Sequence, residues 1–169
     1  MIDQELASVM HFFLEAAPGI SPLYHAVPEH FIVPAIYFPP PELTMEGDTF
    51  ATYNTRASWY IQIFHSRDDL AYAMARDMAD AIMRARRLVP LRDTRGVVLA
   101  GEWLRLDDPQ VKSLDLSGVG GGAQISIAWD SRRPYNAEDA QKMMEFYLSF
   151  NDKPAASGRE MAVGGHNNV

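Results

Sequence analysis

The segment Thr52–His65 alternates between apolar and polar side chains at most of its positions. One face carries apolar residues, namely Tyr53, Ala57, Trp59, Ile61 and Ile63. The other face carries polar residues, namely Thr52, Asn54, Arg56, Ser58 and Gln62. Because successive side chains of a strand point to opposite faces of a sheet, this period of two predicts a long, half-buried strand.

A helix is predicted directly after this strand, over residues 67–87. Its apolar residues recur at helical spacing and form one stripe, namely Leu70, Met74, Met78, Ala81, Ile82 and Ala85. Ser66, with Asp69 three residues later, resembles a capping box, which predicts that Ser66 caps the helix. We expect the helix to lie across one face of the sheet.

The residues before the long strand predict one helix and one short strand. Residues 3–17 have an apolar side and end at Pro18, which is typical of an N-terminal helix. Residues 31–38 are a strand candidate, and Pro34 within them places this strand at a sheet edge because proline has no backbone N–H. Residues 43–48 are interpreted as a turn or loop.

Two further strands are predicted over residues 96–106 and 123–129. The sequence has three tryptophans, Trp59, Trp103 and Trp129, and each lies within a predicted strand. A tryptophan in an alternating strand is more often part of the core than of an interface. We therefore expect all three indoles to be buried.

The C-terminal part predicts one more helix and a tail. Residues 136–150 carry an apolar stripe at helical spacing, and residues 151–169 are rich in Gly, Ser and Asn with little to bury. The tail is therefore expected to be flexible. Residues 1–150 are interpreted as a single α+β domain, with a mostly antiparallel sheet, a central helix packed on one face, and N- and C-terminal helices.

Composition narrows the function classes. The chain has 169 residues, 47% of them apolar, and this size suits one core. There is no cysteine, which excludes disulfides, thiol nucleophiles and zinc–thiolate sites. The net charge of −7 argues against a surface that binds duplex DNA. One role of the acidic charge is to keep the protein soluble.

Neither a membrane partner nor export is expected. The apolar stretches are far too short to span a bilayer. Asp3 and Glu5 are not typical of a signal peptide, so an intracellular protein is expected.

No cluster of residues predicts catalysis or a cofactor. The five histidines lack metal-ligand spacing. The glycine run at residues 118–122 lacks the Lys-Ser/Thr pair of a phosphate-binding loop and leads into a strand. The arginines of residues 84–95 are interpreted as solvated cations at a helix C-terminus. We therefore expect no catalytic residue, cofactor or metal, and no enzyme activity.

The segment 107–122 is polar, glycine-rich and longer than an ordinary connection, so it predicts a flexible loop with a binding role. The role we expect is a contact in an assembly. Its candidate contact residues are Asp107, Asp108, Gln110, Lys112, Asp115, Ser117, Gly118, Gly120, Gly121 and Gly122.

The order of these features resembles a known family. The sequence Val-Pro-Ala-Ile-Tyr-Phe at 33–38 is followed by Trp-Tyr-Ile-Gln-Ile-Phe-His at 59–65, then by Asp-Asp-Leu and an Ala/Met-rich helix. A strand with Trp103, a loop, and Ile-Ser-Ile-Ala-Trp at 125–129 complete the order. Over residues 2–150 the chain resembles the tail terminator proteins of long-tailed phages, and more loosely the neck and tail-completion proteins.

This resemblance implies a non-enzymatic protein of the virion tail or neck, assembled in the host cytoplasm. It implies a homo-oligomer, a ring of six subunits, that caps the tail-tube protein and joins it to the head-side connector protein. DNA would pass through the lumen without specific binding.

Two alternatives stay open. One is a head-completion, neck or tail-tube protein of the same particle. The other is a small hydrolase or nucleotide-binding protein that uses the glycine-rich segment.

Overall fold

The structure is a computed structural model that describes residues 2–24, 26–93, 95–116 and 120–135. Its elements, in chain order, are α1 (Ile2–Ala16), β1 (Ser21–Tyr24), β2 (Ala35–Phe38), β3 (Glu42–Gly47), β4 (Thr52–His65), α2 (Asp68–Arg84), β5 (Leu88–Arg92), β6 (Val98–Arg105), β7 (Gln110–Leu114) and β8 (Gly121–Pro134). The predicted α+β class with a mostly antiparallel sheet is confirmed.

The longest strand pair is β4 with β8. The two strands run antiparallel from the Thr52–Pro134 pair to the His65–Gly121 pair without a break in register. The main sheet has the order β1-β2-β4-β8-β7, and β3 pairs with the first half of β4. Strands β1 and β2 are parallel, whereas the other pairs are antiparallel. The strand predicted over residues 123–129 is therefore the middle of a much longer one.

One face of this sheet carries the core, and both described helices pack on it. Trp59 and Trp129 are fully buried there, with ring centroids 6.1 Å apart, as the sequence predicts. The indole Nε1 of Trp129 donates to Glu5 of α1 at 2.9 Å, and that of Trp59 donates to the carbonyl of Pro39. Both buried N–H groups are thus paired, so the indoles are buried without an unsatisfied donor.

Helix α2 begins one residue later than predicted and without the predicted cap. The N-cap residue is Arg67, and no side chain caps it. Ser66 instead lies 3.1 Å from the imidazole Nδ1 of His65, and Asp69 accepts hydrogen bonds from Arg67. The capping-box prediction is wrong because the side chains of Ser66 and Asp69 both have other partners.

The buried face of α2 differs in part from the predicted stripe. Met78 and Ile82 are buried as predicted, but Leu70 is 38% exposed. The remaining buried positions are small, namely Ala71, Ala75 and Ala79. Alanines at these positions let the helix lie close to the sheet, and the stripe rule overlooked them because it weights large side chains.

The segment before β4 contains more strands than the sequence predicts. Residues 43–48, expected to be a turn or loop, lie mostly in β3, and Ser21–Tyr24 form the additional strand β1. The predicted edge position of β2 is wrong, since β1 and β4 flank it. Pro34 precedes the strand, so its missing N–H interrupts no ladder, and its carbonyl accepts from Ser21.

Residues 86–106, which we call the β5–β6 arm, form a separate two-stranded sheet that packs on α1. Arg86 and Arg87 have positive φ angles of 55° and 63° and lie beyond the end of the helix. The interpretation of the arginine run as helix C-terminal cations therefore holds for Arg84 alone.

Trp103 is 55% exposed, so its predicted burial is wrong. The predicted strand at 96–106 does form, but it pairs with β5 instead of joining the main sheet.

The predicted helix at 136–150 and the predicted tail at 151–169 lie outside the described residues.

The position of Met78 in the core gives a stability test. Met78→Asp places an unpaired carboxylate at a site that is 1% exposed. We expect it to lower the free energy of unfolding by about 4 kcal/mol or more, comparable to the total stability of many domains. Urea denaturation followed by circular dichroism measures this loss.

Leu70→Asp is the matched control, because the sequence placed both residues on one stripe and the structure leaves Leu70 exposed. We expect a change of about 0.5 kcal/mol or less. Equal losses for the two variants would contradict the orientation of α2.

Candidate functional site

The face of the main sheet opposite α1 and α2 is polar. Strand β4 contributes Arg56, Ser58 and Tyr60, and β8 contributes Ser126 and Asp130. The register pairs Arg56 with Asp130 and Tyr60 with Ser126, and paired residues share a face. We call this surface, together with the residues of β7 that adjoin it, the polar face.

A shallow cleft of about 390 Å³ lies on the polar face, between β4, β7 and β8. Its lining consists of Arg56, Ser58, Tyr60, Asp107, Asp108, Gln110, Val111, Lys112, Ser126, Ile127 and Ala128. Four of these, Asp107, Asp108, Gln110 and Lys112, are contact residues that the sequence predicted. The remainder come from β4 and β8, apart from Val111.

Arg56 is the centre of a polar network in this cleft. It donates to Asp130 at 2.8 Å and to Asp107, and Asn54 also donates to Asp130 at 3.1 Å. The hydrogen bond to Asp107, followed by the charges of Asp107 and Asp130, raises the pKa of Arg56 above its ordinary value. Arg56 is therefore always cationic. These side chains are 45–49% exposed, so the ion pairs orient the residues and add little stability.

The predicted flexible loop at 107–122 contains strand β7 and the first residues of β8. Strand β7 occupies its middle and pairs antiparallel with β8. Gln110 and Lys112 lie opposite Ser126 and Gln124, so their side chains share the polar face. Asp107 is fixed as well, since its backbone N–H donates to the carbonyl of Ala128 at 2.7 Å. The loop prediction is wrong because pairing with β8 satisfies the backbone of this polar segment.

Three described glycines of the segment, Gly120, Gly121 and Gly122, lie where a side chain would meet neighbouring atoms within 3 Å. A Cβ on Gly121 would lie 2.0 Å from the backbone carbon of Arg67, at the start of α2. The N–H of Gly122 donates to Asp68 at 3.2 Å. Gly120 has a φ of 88°, which glycine adopts without strain. Gly121 and Gly122 both belong to β8. Gly121 lets α2 approach the strand closely, whereas a Cβ on Gly122 would lie 2.6 Å from the side chain of Leu116.

The remaining predicted contact residues are Asp115, Ser117 and Gly118. Asp115 lies just after β7 and is exposed. Ser117 and Gly118 lie outside the described residues. The structure thus brings four predicted residues into the cleft, uses three glycines for packing, and places Asp115 beside the strand end.

Arg56, Tyr60, Ser126 and Asp130 were not predicted as site residues. Alternation along β4 had already placed Arg56 on a polar face. What the sequence lacked was the β4–β8 register, which brings Asp130 beside Arg56.

The cleft is lined mostly by polar and charged side chains. Within the described ranges no three His, Cys, Asp or Glu residues are placed to hold a metal ion. The cleft offers a paired guanidinium, amides, hydroxyls and one lysine, all partly open to solvent. Such groups suit a polar protein contact. In the part of the chain described here, neither helix is long and apolar enough to cross a membrane.

Comparisons with known proteins identify relatives of this chain. It is 32% identical over 149 residues to the phage-like element PBSX protein XkdJ of Bacillus subtilis strain 168, covering 88% of this chain and 97% of XkdJ. It is 27% identical over 145 residues to the protein YqbJ of the same strain, covering 86% of this chain and 95% of YqbJ. No protein-family model matches the chain.

The protein is therefore a small, phage-related α+β protein with an open polar sheet face. It belongs to the family of the phage-like element PBSX protein XkdJ, with which it aligns over nearly the whole length of both chains.

The contact between Gly121 and α2 gives a second test. Gly121→Ala places a methyl group against the backbone of Arg67, so the helix must shift. We expect a loss of about 3 kcal/mol of unfolding free energy, measured by urea denaturation.

Gly47→Ala is its control, because that Cβ would meet only the Tyr135 hydroxyl at an ordinary 3.5 Å. We expect a change of about 0.5 kcal/mol or less. A Gly121→Ala variant as stable as this control would show that α2 does not need the close approach.

Proposed function

We propose that this protein is a phage tail terminator. It assembles into a homo-oligomeric ring of six subunits, caps the tail tube and joins it to the head-side connector, without catalytic activity. The observation that carries the proposal is membership of the XkdJ family, whose named member is a phage-like element protein. The terminator-like order of elements supports a structural role at the end of the tail.

The polar face supports a role in assembly. Both described helices lie on the opposite side of the sheet, so the polar face is open to a partner. Its charged groups are held in place by the Arg56–Asp107 and Arg56–Asp130 ion pairs. A surface with pre-oriented polar groups loses less side-chain entropy on binding. We therefore assign the polar face to contact with the tail-tube protein or the connector.

The net charge of −7 agrees with a ring around DNA. Like charge between the lumen wall and the phosphate backbone lets DNA pass without being held. In this proposal DNA passes through the ring and is not bound specifically.

Deletion and complementation test the proposal in a phage or phage-like element that encodes this protein. Loss of the gene is expected to give tails of uncontrolled length that do not join heads, and the wild-type gene is expected to restore both properties. Purified protein should form closed rings, seen by electron microscopy and by light scattering. Long tubes from purified protein would instead identify a tail-tube protein, and normal tails without the gene would overturn the proposal.

Lys112→Glu tests the polar face itself. The residue is exposed, so stability should change by about 0.5 kcal/mol or less. We expect complementation to fall about tenfold or more, because a reversed charge within an interface costs more than 1.4 kcal/mol. Plaque or particle counts measure the loss.

Arg84→Glu is the matched control, an equally exposed charge on α2. We expect it to complement as well as the wild type. Lys112→Glu particles of normal number and tail length would remove the polar face from the mechanism.

A further inference from the structure

Strands β3 and β6 are among the strands that have a free backbone edge within the described residues. Strand β3 pairs with β4 on one side, and β6 pairs with β5 on one side. The other edge of each strand meets no strand in the described ranges. A free edge presents N–H and C=O groups that another strand can pair with.

The β3 edge, residues 42–48, is acidic and partly apolar. Every residue of β3 is exposed, with Met45 at 65% and Leu43 at 42%. Glu42 and Glu46 form no ion pair with any described residue. The segment has three acidic residues and no basic one.

The β5–β6 arm has the opposite charge and is also partly apolar. It has five arginines against two acidic residues in a protein that is acidic overall. Arg95 and Arg105 are exposed and form no ion pair within the described ranges. Val97 is 60% exposed and Trp103 55%. Exposed tryptophan beside arginine is the composition of interface hot spots.

The arm is held rigidly in position. The backbone N–H of Arg92 donates to Ser8 of α1 at 3.0 Å, and its guanidinium donates to Glu15 of α1 at 2.6 Å. At the tip, the carboxylate of Asp93 accepts from the N–H groups of Arg95 and Val97 at 2.8 and 2.9 Å. An exposed indole on a fixed arm suits binding better than one on a mobile loop, since less entropy is lost.

We propose that the β3 edge of one copy docks on the β5–β6 arm of the next copy. This inference rests on the proposed ring, and it names the two surfaces that build it. A contact between two different surfaces is head-to-tail, and such a contact forms a ring when the rotation between neighbouring subunits closes. The acidic β3 edge meets the arginines of the arm, and the exposed apolar residues of both are covered together.

Charge excludes the symmetric alternatives. Two β3 edges would bring Glu42 and Glu46 against their own copies, and two arms would bring Arg95 and Arg105 together. Like charges face to face weaken an interface and select the mixed contact. The two edges therefore favour the arrangement that a ring requires.

Charge reversal tests the contact in the full-length protein. One variant carries Glu42→Lys and Glu46→Lys, so both its edges are basic. The other carries Arg95→Glu and Arg105→Glu, so both its edges are acidic. Each alone should lose the ring, with the oligomer fraction in light scattering falling about tenfold or more because like charges now meet.

Assembly should return in two ways. An equimolar mixture of the two variants is expected to form rings, because each acidic edge now meets a basic one. The chain with all four reversals is expected to form rings by itself. Restored rings also show that both variants are folded. Reversal of exposed charges on α2, by Arg76→Glu with Asp80→Lys, should leave the wild-type ring unchanged.

The outcomes separate this inference from the proposed function. A wild-type protein that stays monomeric overturns both. Wild-type rings that survive both reversals overturn the contact alone, and would mean that the charges only guard the edges against pairing. Rings lost in each variant but restored neither by mixing nor by combination also overturn the contact.

Discussion

The antiparallel ladder between β4 and β8 is the constraint on which the other parts depend. It runs unbroken from Thr52–Pro134 to His65–Gly121. A shift of one residue would turn every side chain of one strand to the opposite face. The observed register places Trp59 and Trp129 on the helix side and Arg56 and Asp130 on the other. The register of β4 and β8 therefore determines both which residues form the core and which form the polar face.

The same ladder positions the neighbouring elements. At one end, Gly121 removes a side chain where β8 meets the start of α2, and Asp68 accepts the N–H of Gly122. This contact joins the start of α2 to β8, while no side chain caps the helix. Along its other edge β8 pairs with β7, which brings Lys112 to the cleft beside Arg56. A segment that is polar and glycine-rich can still be well ordered when its backbone pairs with a long strand.

In the proposed function, different surfaces of this small chain carry out different tasks. The helix side of the sheet is used by the core. The polar face, the β3 edge and the β5–β6 arm project from that core with different charge and chemistry. A subunit of a ring that also contacts a tube and a connector needs several distinct surfaces. The relation to phage comes from membership of the XkdJ family, whose named member is a phage-like element protein.

The sequence by itself determined the local secondary structure of the main elements. The alternation of Thr52–His65 predicts strand β4 and its two faces, and helical spacing predicts α1 and α2, because both periods follow from backbone geometry. Four of the residues that line the cleft were also predicted as contact residues, because they lie in the polar segment 107–122. Tertiary structure decided which strands pair. It made β3 and β7 strands rather than loops, since a free partner edge outweighs weak local preference. It also placed Trp103 on an exposed arm, because burial depends on which sheet a strand joins, and alternation alone does not encode that.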